Sequence, residues 1–243
     1  MENTRITREA ASRDITGAPI FCDGARGRAH VMAHRLLDAG QAERGHRLLG
    51  DWLATHEGEG SDWAHLQWHM AVFEIATERW RSAFERFVHE VLPAVYEGEA
   101  YTDGPSLLWR LSLTSPGRVE IPWETVCGAA LVRLAAADEP YVEAHHLLAF
   151  AGAGDASSIE RWLSSRKPVD SLPSDHILTR MAEGLSAFAR RDYGGAAQAL
   201  ASVAPRVSQL GGSRAQNELF TFICHDARWR AEGASSFAHQ RAA

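Results

Sequence analysis

The sequence predicts an all-α protein built from consecutive helical hairpins. From residue 26 onward Leu, Ala, Arg and Glu dominate, and apolar residues recur at steps of three and four positions, as they do on one face of a helix. Short breaks rich in Gly, Pro or charged residues separate stretches of similar length, which indicates paired helices. No segment alternates at period two for long enough to predict a sheet.

The predicted elements follow one another with identifiable breaks. A polar leader at 1–25 comes first, followed by two helices over 33–56 interrupted at Gly40 and two helices over 63–95 interrupted at 78–79. Next come a polar loop at 98–105 and a short helix at 107–113, which is stopped by Ser115-Pro116-Gly117. The remaining helices are expected near 121–137, 140–152 and 156–165 and, after a linker at 167–175, near 176–191, 194–209 and 213–231, before a flexible tail at 233–243. The helical-repeat domain is therefore expected to span 26–232.

Small and aromatic residues fall at the spacing of tetratricopeptide hairpins. In the stretch 184–200, Gly184 and Ala187 precede Tyr193, which follows the turn, and Ala196 comes next. The same plan fits Ala71, Trp80, Ala83 and Phe87, and more loosely Ala33, Ala42 and Gly45. Small residues let two helices approach closely, so the pattern predicts a degenerate tetratricopeptide-like solenoid.

Composition excludes several classes of function. The chain has 243 residues and a net charge of −6, which gives nucleic-acid binding no electrostatic support. Apolar runs are only a few residues long, so no membrane span is expected, and the polar start lacks a secretory signal, which favours the cytoplasm. Cys22, Cys127 and Cys224 form no CxxC pair, so neither a disulfide framework nor a zinc knuckle is indicated.

Two pairs of histidines are the main functional signal. His30 and His34, and again His65 and His69, stand four residues apart, which places each pair on one face of a helix. Each pair lies on the first helix of its hairpin, and first helices line the concave surface of such arrays. The four imidazoles are therefore predicted to converge on one groove.

Clustered imidazoles support two kinds of chemistry. They transfer protons near neutral pH and bind anions when protonated. They also ligate metals, but neither pair contains the Glu of an HExxH motif and ExxH occurs as a single copy, so acid/base catalysis without a cofactor is the simpler expectation and a metal stays an alternative.

Further residues are candidates for the same site. Asp103, Glu143 and His145 are expected to join the four histidines as catalytic groups, and the expected substrate-binding residues are Arg110, His89, Trp68, Ser213 and Gln216. Structural roles stay open for three of them: Asp103 as a helix start, Arg110 as a side chain that reaches solvent, and Ser213 as an ordinary helix cap.

These residues lie in stretches that resemble the tetratricopeptide-repeat protein 38 family. The matching stretches are HVMAH, HLQWHMA, FVHEVLP, SLLWRLSL, EAHHLLA and RVSQLGGSRAQNELF, which run in family order from about residue 28 to residue 222. The resemblance implies histidines at positions 30, 34, 65, 69, 89 and 145, an arginine at 110 and a carboxylate at 143. It implies a helical-repeat fold with a polar pocket but defines no reaction.

The resemblance also implies a missing part. Family members carry several more helical hairpins before the equivalent of residue 28, whereas this chain has only a short leader. A solenoid cut there leaves the apolar face of its first hairpin uncovered. The chain is therefore expected to pair with a companion subunit that supplies those repeats, or with a second copy of itself.

Two functions follow from these patterns. The first is a small biosynthetic enzyme that uses the histidine groove for proton abstraction, elimination or ring closure on a small polar or anionic substrate. The second is a scaffold that holds a peptide or partner helix in the groove without catalysis, as helical-repeat arrays commonly do.

Overall fold

The computed structural model describes residues 24–97, 101–115, 117, 119–133, 139–166 and 173–233, and it confirms the all-α prediction, with no strand in those ranges. The α-helices are α1 Gly24–Asp38, α2 Ala42–Leu53, α3 Gly60–Ala76, α4 Trp80–Arg86, α5 Leu92–Glu97, α6 Asp103–Thr114, α7 Trp123–Arg133, α8 Pro140–Gly152, α9 Ala156–Ser165, α10 Pro173–Ala189, α11 Tyr193–Val203 and α12 Arg214–Ala231. In these ranges no helix has the length and apolar character that a membrane crossing requires.

Local sequence signals explain where the helices begin and end. Gly40 adopts a φ of +64°, a left-handed conformation that favours glycine, between α1 and α2. Asp155 caps α9 by accepting a 3.0 Å hydrogen bond from the Ser158 amide, and Asp192 caps α11 by accepting one of 3.0 Å from the Gly195 amide. Each carboxylate satisfies an amide that the first turn of a helix leaves unpaired.

Several predicted boundaries were wrong by a few residues. The loop predicted at 98–105 ends earlier, because α6 already begins at Asp103 and accommodates Pro105 in its first turn, where a missing amide hydrogen breaks no bond. The linker predicted at 167–175 ends before α10, which starts at Pro173 for the same reason. The leader at 1–25 and the tail at 233–243 lie outside the described residues, apart from 24–25, which begin α1, and Gly233.

Two irregular helical turns also differ from the prediction. The helix after Trp80 passes through a π-helical turn at Phe87–Val91 before α5, and α11 continues as a 3₁₀ segment at Ala204–Leu210. A π-helical turn accommodates one extra residue, which a period of 3.6 does not reveal.

Helix α3 lies at the centre of the part of the fold that carries the histidine pairs. It contacts α1, α2, α4 and α6, while α6 also packs on α8 and α12, and α1 reaches α12. Trp68 on one side of α3 belongs to the main hydrophobic core, whereas Leu66 and Phe73 on the other side belong to a smaller core with α1 and α2. Helix α3 is therefore packed against both hydrophobic cores.

Replacing Gly45 with alanine is expected to destabilise the protein by about 1–3 kcal/mol through overpacking. A Cβ atom at position 45 would lie 2.1 Å from Cε1 of Phe73, whose ring is fully buried. In an uncrowded helix, replacing glycine with alanine raises the free energy of unfolding by about 1 kcal/mol. A decrease for Gly45→Ala would therefore indicate that α2 and α3 approach closely at this position. Chemical denaturation measures the effect.

Gly128 provides the matched control. It lies exposed on α7, and a Cβ atom there would meet nothing within 4 Å. Gly128→Ala is therefore expected to raise the free energy of unfolding by about 0.5–1 kcal/mol. Equal stabilisation by both substitutions would show that α2 and α3 do not pack as described.

Candidate functional site

The four predicted histidines come together, as the sequence indicated. His30 and His34 on α1 face His65 and His69 on α3, and we call these residues the four-histidine cluster. The centroids of their rings lie between 4.5 Å and 6.5 Å apart. One ring nitrogen from each residue can be chosen so that all four lie within 4.8 Å of one another.

Asp103 anchors one member of the cluster from a third helix. His65 Nδ1 and Asp103 Oδ2 are 2.8 Å apart, a hydrogen bond that joins the start of α6 to α3. The carboxylate is buried, and its bond to Nδ1 fixes the tautomer and orientation of the His65 ring. Trp68 stacks on the other side of His65, with ring planes 6° apart.

The remaining imidazoles have different surroundings. Nε2 of His30 and Nε2 of His34 lie 3.0 Å apart, a distance at which the two nitrogens share one proton. His69 is fully buried, and neither of its ring nitrogens has a hydrogen-bond partner among the described residues. The cluster thus contains a bridged pair, an imidazole held by a carboxylate and an imidazole without a polar partner.

The pKa values of the two histidines on α3 shift in opposite directions. Burial disfavours a charged His65, but the charge and hydrogen bond of Asp103, with the charge of Asp62, raise its pKa above 6.5. Burial and then the neighbouring positive charges of the other cluster histidines and Arg110 lower the pKa of His69 well below 6.5. Relative to a free imidazole, the surroundings therefore favour the protonated form of His65 and the neutral form of His69.

A cavity of about 370 Å³ lies near the C-terminal ends of α1 and α3, and its lining does not include the four histidines. Leu37 and Val72 line it, and each follows a cluster residue, His34 or His69, by three positions on the same helix. The cavity therefore begins one helical turn from the imidazoles. The wall is partly apolar and also carries four charged residues, of which Arg110 and Arg214 are positive and Asp38 and Glu218 are negative.

Arg110 is a buried cation. Its Nη2 donates to the carbonyl oxygen of Ala215, its Nε has no hydrogen-bond partner among the described residues, and its guanidinium carbon lies 5.7 Å from the Trp68 ring. Burial lowers the pKa of Arg110 to about 10, against the opposing charge of Glu218, so the side chain stays charged at neutral pH. The interpretation of Arg110 as a side chain that reaches solvent was wrong, since only 5% of the residue is exposed.

His145 and Tyr141 lie one helical turn apart on α8, and the charges of Asp103 and Arg110 act on both of them. Nδ1 of His145 donates to the Tyr141 carbonyl at 2.8 Å, and burial lowers the His145 pKa to about 4, with Asp103 and Arg110 acting in opposite directions. The buried Tyr141 hydroxyl has no hydrogen-bond partner among the described residues, and burial raises its pKa. Tyr141 was not among the predicted residues, although it stands one helical turn before His145 in the sequence.

The other predicted residues have separate environments. Glu143 pairs with Arg166, which stacks over Trp162 and also bonds to Asp175 at 3.0 Å. His89 is exposed on the π-helical turn. The structure does not bring either residue into the four-histidine cluster.

Ser213 and Gln216 form a capping box at the start of α12. The Ser213 hydroxyl accepts from the Gln216 amide at 3.3 Å, and the Gln216 side-chain oxygen accepts from the Ser213 amide at 2.8 Å. This is the ordinary capping role that the sequence left open. Gly212, at φ +78°, precedes the box and packs so closely on Tyr141 that a Cβ would lie 2.5 Å from its ring.

Neither a protein-family model nor a solved structure matches this chain. The geometry of the cluster and its cavity is therefore the basis for assigning a function.

Proposed function

We propose that this chain is an enzyme that performs acid/base chemistry on a small anionic molecule at the four-histidine cluster. The observation that carries the proposal is the 2.8 Å hydrogen bond between His65 and the buried Asp103 inside a group of four imidazoles. A carboxylate on Nδ1 fixes the tautomer of an imidazole and stabilises its protonated form, which makes the ring a defined proton carrier.

Two neighbouring imidazoles can divide the roles of acid and base. His65, oriented by Asp103 as a positioning residue, is the proton donor. The ring centre of His69 lies 4.7 Å away, and the one nitrogen of its neutral ring that carries no hydrogen can accept a proton, because neither ring nitrogen has a hydrogen-bond partner among the described residues. Reactions that need a proton removed at one atom and delivered at another include proton abstraction, elimination and ring closure. A lyase or cyclase in small-molecule biosynthesis is the class that fits.

The cavity supplies a place for such a substrate. Its volume of about 370 Å³ is within the range of small-molecule pockets. Arg110 and Arg214 on its wall would bind a carboxylate, sulfate or phosphate group. Asp38 and Glu218 would accept hydrogen bonds from a polar group of the substrate, and Leu37 and Val72 would contact an apolar part. The substrate is therefore a small anion with some apolar surface.

The architecture and assembly belong to the same proposal. We interpret the hairpins as tetratricopeptide-like and the chain as a relative of the tetratricopeptide-repeat protein 38 family that works with a companion subunit or a second copy. The close packing of Gly184 on Leu200 between α10 and α11 supports the hairpin interpretation, and the exposed side chain of Val31 on α1 supports a covering partner.

Native mass spectrometry of the untagged protein, purified gently from its own host, tests the proposal together with incubation in a fractionated extract of polar metabolites. The expected result is a retained small anion or a companion chain, and conversion of one metabolite at a rate proportional to protein concentration. Arg110→Gln should lose the retained anion. A bare monomer that converts nothing in any fraction would contradict the enzyme and favour a peptide-binding scaffold.

A further inference from the structure

We infer that the four-histidine cluster binds one divalent transition-metal ion through a single ring nitrogen of each of its four members. The inference rests on the site of the proposed function but not on its catalysis. Its basis is geometric: within the described ranges, these are the residues whose possible ligand atoms gather within 4.8 Å of one another, and two helices supply two imidazoles each.

The contact between His65 and Asp103 has the form of an outer-sphere anchor. A histidine that ligates a metal through one nitrogen commonly donates the hydrogen of its other nitrogen to a carboxylate, which fixes the ring and raises its basicity. Nδ1 of His65 makes such a bond to Asp103 at 2.8 Å, so Nε2 is the nitrogen that would ligate.

One histidine of the cluster has nitrogens that a metal would satisfy. His69 is fully buried, and neither of its ring nitrogens has a hydrogen-bond partner among the described residues. Nε2 of His30 and Nε2 of His34 lie 3.0 Å apart, so α1 presents two imidazole nitrogens at nearly the same place. One ion between the two helices would give His69 a partner and would bind the other three imidazoles as well.

The donor set selects the class of ion. Four neutral nitrogens suit Zn²⁺, Fe²⁺, Ni²⁺ or Cu²⁺, whereas Mg²⁺ and Ca²⁺ require oxygen ligands. Zn–N bonds of about 2.0–2.1 Å place the nitrogens of a tetrahedron roughly 3.4 Å apart, so nitrogens that now lie up to 4.8 Å apart would approach one another when an ion binds.

A bound ion would change the roles proposed for two of the histidines. His65 and His69 would be ligands rather than the proton donor and acceptor, and the ion would supply Lewis-acid chemistry only if it accepts a fifth ligand beside the four imidazoles. Arg110 acts electrostatically on His69, so an anionic substrate between the ion and the guanidinium would be attracted by both.

Metal titration of the untagged, chelator-treated protein tests the inference. We expect one Zn²⁺ or Co²⁺ per chain by elemental analysis after desalting, with visible absorption from the bound Co²⁺. His69→Gln should weaken binding more than 100-fold, and Asp103→Asn should weaken it by about 10-fold to 100-fold because the ligand ring loses its anchor. His56→Gln, at an exposed histidine outside the cluster, should leave the affinity unchanged.

The outcomes separate the metal from the proposed enzyme. If the wild-type protein retains no ion, or if His69→Gln binds as tightly as the wild type, the inference is overturned, while metal-free turnover would leave the acid/base proposal standing. A five-coordinate Co²⁺ spectrum supports both metal binding by the cluster and catalysis at the bound ion. A closed tetrahedral spectrum supports the metal but counts against catalysis at it. If His69→Gln fails to fold by circular dichroism, the half-buried His34→Gln serves in its place.

Discussion

Turnover of the substrate is expected to fall by a factor of about 10² to 10⁴ when His65 and His69 are both replaced by glutamine. Glutamine keeps the polarity and much of the volume of histidine but cannot carry a proton near neutral pH. The substitution removes the imidazole that Asp103 holds and its buried neighbour, whose ring centres are 4.7 Å apart. Single-turnover kinetics with the metabolite identified from the extract measure the loss.

The same experiment needs a folded variant and a matched control. Circular dichroism and size-exclusion chromatography establish that the double variant folds, and His56→Gln replaces an exposed histidine that lies outside the cluster. Metal content is measured in parallel, so that loss of an ion is separated from loss of a proton carrier. Turnover within twofold of the wild type in the folded double variant would sink the assignment of the cluster as the active site.

The convergence of the four histidines could be predicted because it depends on local geometry. Residues four apart on a helix share a face, and apolar periodicity placed His30 and His34 on one helix and His65 and His69 on another. Adjacent helices in a hairpin array then bring the two pairs together. The burial of Arg110 was foreseen as one of two alternatives because its neighbours in α6 are apolar.

Contacts between distant helices could not be predicted in the same way. Both Asp103 and Glu143 were predicted as carboxylates that could orient an imidazole, but with His65 and Asp103 38 positions apart no spacing rule chooses between the two carboxylates. Glu143 was predicted to join the histidines, but its carboxylate pairs with Arg166 on a neighbouring segment instead. The patterns identify residues of the right chemistry, whereas their pairing depends on how the helices cross.

Replacing Arg86 with methionine is expected to destabilise the protein by about 3–5 kcal/mol, as breaking a buried ion pair does. Arg86, the last residue of α4, donates from Nε and Nη2 to the two carboxylate oxygens of Glu74 at 3.0 Å and 2.8 Å, and from Nη1 to Gln67. Glu74 is only 2% exposed, so the variant leaves its charge in the core without a cation. Urea denaturation measures the loss.

The contacts of Arg86 also hold the helix that carries part of the proposed site, since Gln67 and Glu74 lie on α3 with two of the cluster histidines. Arg81→Met is the matched control on the same helix: Arg81 and Glu85 form an exposed pair at 3.8 Å, and its loss should cost no more than about 0.5 kcal/mol. Adding Glu74→Met to Arg86→Met removes the stranded carboxylate and should recover much of the stability. If Arg86→Met costs no more than Arg81→Met, the buried pair does not hold α4 against α3.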